Sequence, residues 1–147
     1  TGCNLCNEKN IEDINSIWKK LGSKTVTMES KDHDSIMAIT SHIPHLIAYN
    51  IVGTASELEE DIKSEVIKFS ASGFRDFTRI ASSDPVMWRD IMLSNKDEII
   101  SLFERFNNDL KQILDAIKKN DGDFLVKKFK KTREIREKII EAGLDKN

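Results

Sequence analysis

Cysteine is nearly absent: Cys3 and Cys6, in a Cys-x-x-Cys arrangement at the extreme N-terminus, are the only two in 147 residues. With no second pair, a disulfide-stapled extracellular fold is not expected. No Gly-x-Gly-x-x-Gly follows a strand, so the chain carries no dinucleotide fingerprint. No apolar run approaches the length of a membrane span, and the N-terminus lacks a signal-peptide pattern. Neither sign of charge is in excess, 23 Lys and Arg standing against 25 Asp and Glu. That balance argues against a general nucleic-acid binder, which is normally basic overall. Repeats and low-complexity linkers are missing too, as is any Ser, His and Asp order that periodicity turns into a triad. What remains reads as a soluble, cytoplasmic chain of a length that fits one domain with its own core. Because it begins at Thr1 without an initiator Met, it is expected to be processed, tagged or cut from something longer.

What is present is mostly helical periodicity. Asn10 can cap a helix whose apolar residues Ile11, Ile14, Ile17, Trp18 and Leu21 share one face, with Gly22 to end it. Lys24 to Met28 alternates and reads as a short strand, so residues 1–29 look like the closing piece of an α/β unit. One strand has nothing to pair with, which suggests a missing domain upstream. Ser30 opens a second helix running into Ser41-His42-Ile43-Pro44-His45, where Pro44 removes a backbone donor and should break or kink the helix near His42. The pattern resumes through Leu46, Ile47, Tyr49, Ile51 and Val52 to Gly53. A third helix is expected from about Ser56, with Leu58, Ile62, Val66, Ile67 and Phe69 inside and Glu57, Glu59, Glu60 and Asp61 opposing the dipole at its start. Ser94 opens the longest helix, whose stripe Ile99, Phe103, Phe106, Leu110, Ile113 and Ile117 predicts antiparallel packing on another helix, in this chain or a partner's. After a turn at Asn120-Asp121-Gly122, a last helix from Asp123 places Leu125, Val126, Phe129, Ile135 and Ile139 inside. Lys127, Lys128, Lys130, Lys131, Arg133 and Arg136 then form a mostly solvated face. The fold class is an all-α helical bundle with a short α/β remnant at the N-terminus.

Residues 73–90 look least like scaffold. They crowd Phe74, Phe77 and Trp88 among Arg75, Arg79 and Arg89, and then supply a helix start in Asp84 and Pro85. Arg79 is the candidate anion binder, because a guanidinium matches a carboxylate with two parallel hydrogen bonds and a Lys does not. The alternative is that the three Arg are solvated or paired with Asp76, Asp84 and Asp90. Ahead of this motif, Ser72 and Gly73 permit a tight turn in which a ligand carboxylate can reach main-chain N–H groups. All three histidines, His33, His42 and His45, fall in the proline-containing region, where freed backbone groups need partners. A zinc site joining Cys3 and Cys6 to His42 and His45 has suitable ligands, but the pairs stand farther apart than in the common finger, and free, reduced thiols are the expectation.

Ser41-His42-Ile43-Pro44-His45, followed by Gly73-Phe-Arg-Asp-Phe-Thr-Arg79-Ile-Ala and Asp84-Pro-Val-Met-Trp-Arg-Asp90, resembles the C-terminal helical domain of the prephenate dehydrogenase family, which includes arogenate dehydrogenases. His33-Asp34 fits the same order, and the likeness spans roughly residues 10–115. The resemblance implies an enzyme of tyrosine biosynthesis that oxidatively decarboxylates prephenate to 4-hydroxyphenylpyruvate, passing a hydride to NAD or NADP. A Rossmann domain upstream would hold the nicotinamide and the catalytic His, so no catalytic residue is expected here and the chain alone should be inactive. Residues 30–147 would then be a helical dimerisation and substrate-binding domain. By position, Arg79 resembles the residue that binds a substrate carboxylate and His45 the substrate-binding His, with Ser41 and His42 on the same wall. Met87, Trp88 and the Ser72–Gly73 backbone would reach in from the partner of a homodimer, and Asp34 would orient groups near the interface. Prephenate or arogenate is the implied substrate and tyrosine an implied feedback ligand. Ser72 departs from the family pattern, which frequently has a second Gly there.

Overall fold

The computed structural model describes residues 7–58, 62, 65–66 and 68–143. Cys3 and Cys6, and with them the zinc reading, lie outside the described residues, as do Glu59, Glu60, Asp61 and Ile67 of the expected third helix. The chain divides into two compact units, Thr1–Leu102 and Phe103–Asn147. Helices α1 (Glu8–Lys20), α2 (Ser30–Met37), α3 (Ile43–Ser56), α4 (Ser72–Ala81) and α5 (Pro85–Ser94) belong to the first unit. Helix α6 (Lys96–Lys118) begins there and runs into the second, which also holds α7 (Gly122–Glu141). No strand occurs among the described residues. Lys24 to Met28, expected as a strand, carries no ladder, because no second strand stands among the described residues to accept its hydrogen bonds.

Local chemistry explains most element ends. Helix α1 is capped by Asn7, whose side chain accepts the N–H of Asn10 at 2.9 Å, so Asn10 sits one turn inside the helix it was expected to open. Gly22, at φ 84°, ends that helix as expected, since a left-handed residue costs a glycine nothing. Asp84 caps α5 by accepting the N–H groups of Val86 and Met87 at 2.9 and 2.8 Å, with Pro85 next in the chain. At the other two expected caps the register moves by one: Glu29 precedes α2 without a side-chain cap bond, and Asn95, not Ser94, stands before α6.

Pro44 does not break the helix. The backbone instead widens to one π turn over Ala38–His42, in which the N–H of Ile43 bonds the carbonyl of Ala38, and α3 continues beyond Gly53 to Ser56. Such a turn absorbs the donor that proline lacks without severing the rod. Helix α4 packs along α3. The hydroxyl of Tyr49 on α3 donates to the carbonyl of Ser83 at 2.7 Å and so holds the α4–α5 turn. Across the α5–α6 junction, Ser35 donates to Glu98 at 2.8 Å and ties α2 to the start of α6.

The core of this unit is thin. Ala38, Ile43, Ala48, Trp88 and Ile99 are buried, while Ile14, Ile17, Trp18 and Leu21 of α1 are more than half exposed. The predicted α1 stripe is real as a pattern, but the described residues do not cover it. Phe69, expected inside, is likewise exposed. In the second unit Asn120, at φ 55°, reverses the chain, and Asp121 caps α7 through the N–H of Phe124 at 3.0 Å. Lys128 reaches back to Asp109 at 2.8 Å, and that ammonium holds the Asp109 carboxyl below the usual carboxylate range. Lys128 was expected on the solvated face, yet it is half-buried, whereas Val126, Phe129 and Ile135 lie exposed.

Replacing Tyr49 by Phe removes one intramolecular hydrogen bond. Its expected cost is about 1 kcal/mol in unfolding free energy by denaturant titration, and an unchanged midpoint would show that the α4–α5 turn is held otherwise.

Candidate functional site

The widened turn sets two histidines on one helical rod, and each has its hydrogen-bonding role assigned by a neighbour. The Nδ1 of His45 lies 2.9 Å from the carbonyl oxygen of Ser41, which can only accept, so Nδ1 carries the proton and Nε2 is left for a ligand. His42 is arranged the opposite way. Its Nδ1 stands 3.2 Å from the side-chain nitrogen of Asn95, and the same nitrogen lies 2.8 Å from the carbonyl of Asp34. Only an NH2 group satisfies that carbonyl, which settles the orientation of the amide.

Trp88 closes the arrangement. Its ring stacks on His45 with centroids 3.6 Å apart and planes 20° from parallel, and meets His42 edge-on at 6.3 Å. Such aromatic pairs contribute about 0.5 to 1.5 kcal/mol beyond area burial. Trp88 is only 7 % exposed, and its Nε1–H is buried without a hydrogen-bond partner among the described residues. Trp88, expected to reach in from the partner of a homodimer, meets His45 of its own chain. The α5 cap places the indole one turn into a helix that faces α3 of the same chain, so the stack is intramolecular.

Electrostatics distinguish His42. Burial pushes its imidazole below the ordinary value, the neighbouring His33 and His45 add to the effect, and Asp34 opposes it. Asp34, expected as an orienting residue, pairs its carboxylate with Nδ1 of His33 at 3.0 Å and offers its carbonyl to Asn95.

The structure does not bring Arg79 into this cluster. Its side chain is 72 % exposed, and its guanidinium pairs with Asp76 one turn back, at 3.6 Å. An exposed pair of that kind is worth well under about 1 kcal/mol, so it leaves the fork available to a better-placed carboxylate. Arg75 donates to the carbonyl of Ser70 at 3.0 Å and Arg89 pairs with Asp90 at 2.8 Å. Within the chain the local-pairing alternative therefore describes Arg79 and Arg89, while Asp84 serves as a cap. Ser72 and Gly73 form the first turn of α4, which starts without a side-chain cap, beside an apolar groove of about 470 Å³ lined by Ile62, Val66, Phe69 and Phe74. Met87 is exposed on the first turn of α5. A Cβ on Gly73 would meet nothing within 4 Å among the described residues, so none of them demands a glycine there. Asn95 and Tyr49 were not expected as polar determinants: one lies at a helix junction and the other within an apolar stripe, and only the tertiary contacts reveal their roles.

The fold and site define an all-helical domain that presents a histidine–tryptophan wall on a proline-widened helix. Residues 29–131 match the family described as prephenate dehydrogenase, dimerization domain, and the chain belongs to that family. It is 38 % identical over 123 residues to the cyclohexadienyl dehydrogenase of Zymomonas mobilis, covering 84 % of this chain and 42 % of that protein. Over 127 residues it is 35 % identical to the prephenate dehydrogenase of Bacillus subtilis, covering 86 % and 34 %. It superimposes on the crystal structure of prephenate dehydrogenase from A. aeolicus in complex with hydroxyphenyl propionate and NAD+ with a TM-score of 0.85 and 31 % identity, covering 95 % of this chain and 48 % of that one. The chain thus spans less than half the length of the curated relatives it matches.

Because His42 is held neutral by burial, acidification should protonate it only below about 6.5, the value of a free imidazole. The unfolded chain then takes up the proton first, so stability falls as pH drops below that point. Proton NMR of the ring C–H resonances checks this, and a midpoint at or above the free value contradicts the burial.

Proposed function

We propose that this chain is the substrate-binding and dimerising part of an NAD- or NADP-dependent prephenate dehydrogenase acting in the cytoplasm. The observation that carries the reading is the His45–Trp88 stack beside Ser41 and His42, in a chain whose family and relatives are named for that reaction. Prephenate is a compact ring bearing two carboxylates. A flat aromatic wall with a ring nitrogen, a main-chain N–H turn and a guanidinium offers complementary groups for it. In the proposed reaction a nicotinamide held outside this chain would accept the carbinol hydride as the hydroxyl is deprotonated. Loss of the ring carboxylate as carbon dioxide would leave its electron pair in the now aromatic ring, and the phenolic oxygen would regain a proton.

Within that scheme this chain binds and orients. His45 Nε2 meets one polar group of the substrate, Ser41 and His42 line the same side, and Trp88 fixes the plane of His45. Arg79, with Met87 and the Ser72–Gly73 turn, completes the site when a second surface of the homodimer or the nucleotide domain covers them. The described residues contain no strand leading through a glycine-rich turn into a helix, so they do not fit a dinucleotide, and no step through one is assigned to them. The exposed α1 stripe suits a missing upstream domain, with residues 1–29 as its closing segment or linker and 30–147 as the helical part. The relative named cyclohexadienyl dehydrogenase favours arogenate as a further substrate, since both compounds share the cyclohexadienyl ring. Tyrosine, with the same side-chain skeleton and one carboxylate, would act as a feedback ligand of the same wall.

In the full-length enzyme, Arg79→Ala is expected to weaken prephenate binding by about 2 kcal/mol or more, raising KM at least ~30-fold with kcat much less affected. An unchanged KM removes Arg79 from the site. Gly73→Ala should leave thermal unfolding within about 0.5 kcal/mol of the parent, because its Cβ has space, yet raise KM if a ligand carboxylate approaches that backbone. The 147-residue chain alone should form no NADH from prephenate and NAD; turnover by it would contradict the missing-domain reading.

A further inference from the structure

We propose that Asn95 is a positioning residue whose amide holds His42 as the neutral imidazole protonated on Nε2, and so sets which hydrogen-bonding face the histidine pair offers a substrate. Asn95 occupies the residue between α5 and α6, at φ −115° and ψ 31°, outside both helices. Its two amide hydrogens have two separate partners. One goes to the Asp34 carbonyl at 2.8 Å, which anchors the amide to α2, and the other points at Nδ1 of His42 from 3.2 Å. A donor facing Nδ1 requires a lone pair there, so the ring proton must sit on Nε2. A doubly protonated ring would set N–H against N–H, which disfavours the imidazolium.

The consequence is a division of labour between neighbours one turn apart. His45, donating through Nδ1 to Ser41, leaves Nε2 as its ligand-facing atom, whereas His42 leaves Nε2–H as a donor. The charged and titratable groups that bear on His42 are His33 and Asp34 from α2 and His45 from α3; Trp88 meets it from α5 and Asn95 from the junction. Among these, Asn95 alone is bonded to the ring, so it selects the tautomer.

The role is decided by the ring nitrogen shifts of His42 in a long-range 1H–15N spectrum, which three histidines make assignable. At neutral pH the parent chain should show a pyridine-type Nδ1 and a pyrrole-type Nε2 for His42. Asn95→Asp replaces the donor by an acceptor, and should move the proton to Nδ1 or leave the ring charged at the same pH. A parent spectrum with the proton on Nδ1 overturns the proposal, and it does so even where the variant fails to fold. A folded Asn95→Asp chain with an unchanged tautomer overturns it as well, whereas a purely structural junction residue would leave the tautomer unmoved.

The effect on binding rests on the prephenate reading above. In the full-length enzyme Asn95→Ala should raise KM for prephenate about tenfold, with a smaller change in kcat. An unchanged KM alongside a shifted tautomer would remove Asn95 from substrate binding. Failure of the parent enzyme to use prephenate would refute the functional reading alone, since the nitrogen shifts decide the tautomer without any substrate.

Discussion

The first unit depends on what one proline does to one helix. Pro44 has no N–H to give the carbonyl a turn before it, and its ring crowds that turn. The chain keeps the rod intact by an i to i+5 bond between Ala38 and Ile43, and the rotation this adds lies between His42 and the helix before it. The pair of histidines then presents itself to α5 and to the α5–α6 junction, where Trp88 and Asn95 take hold of one ring each. Without the widened turn, His42 would stand in another register relative to the Asp34 carbonyl, and one Asn95 amide would not reach both.

The energetics are those of a wall more than of a core. Few side chains are fully buried, and much of the apolar surface of α1 and α7 remains open. What orders the first unit is a set of specific ties: Tyr49 to the α4–α5 turn, Asn95 and Ser35 across the junction, and the indole on the imidazole. Each is worth about 1 kcal/mol, and together they hold a polar surface that hydrophobic burial alone would not specify. The uncovered stripes are in keeping with a family described as a dimerization domain.

Where a structural decision is local, it could be read from residue order. Asp84-Pro85 announces the start of α5, Gly22 the end of α1, and Asn120-Asp121-Gly122 the reversal before α7, because cap and turn chemistry acts over a few residues. Motif order likewise pointed to the histidine and arginine segments, of which the structure brings His42 and His45 to Trp88 and leaves Arg79 paired with Asp76. Decisions made at long range were illegible. Asn95 acts on residues 61 and 53 positions away and looks, in sequence, like part of a helix start. Position in a motif does not say which copy of a helix the indole of Trp88 meets, and within this chain it meets His45. The strand expected at Lys24 to Met28 shows the reverse error, since alternation describes a strand only when another is there to pair with it.

On the proposed function, His45 and Trp88 form the surface on which an acidic cyclohexadienyl ring is held. Tryptophan emission reports on that surface directly, because the chain has two tryptophans and Trp18→Phe leaves Trp88 as the only one in this chain. In full-length enzyme carrying that change, with any tryptophan outside this chain also replaced, prephenate should alter the Trp88 emission saturably, over the concentration range that saturates turnover. Turnover that saturates while the emission stays constant would contradict it.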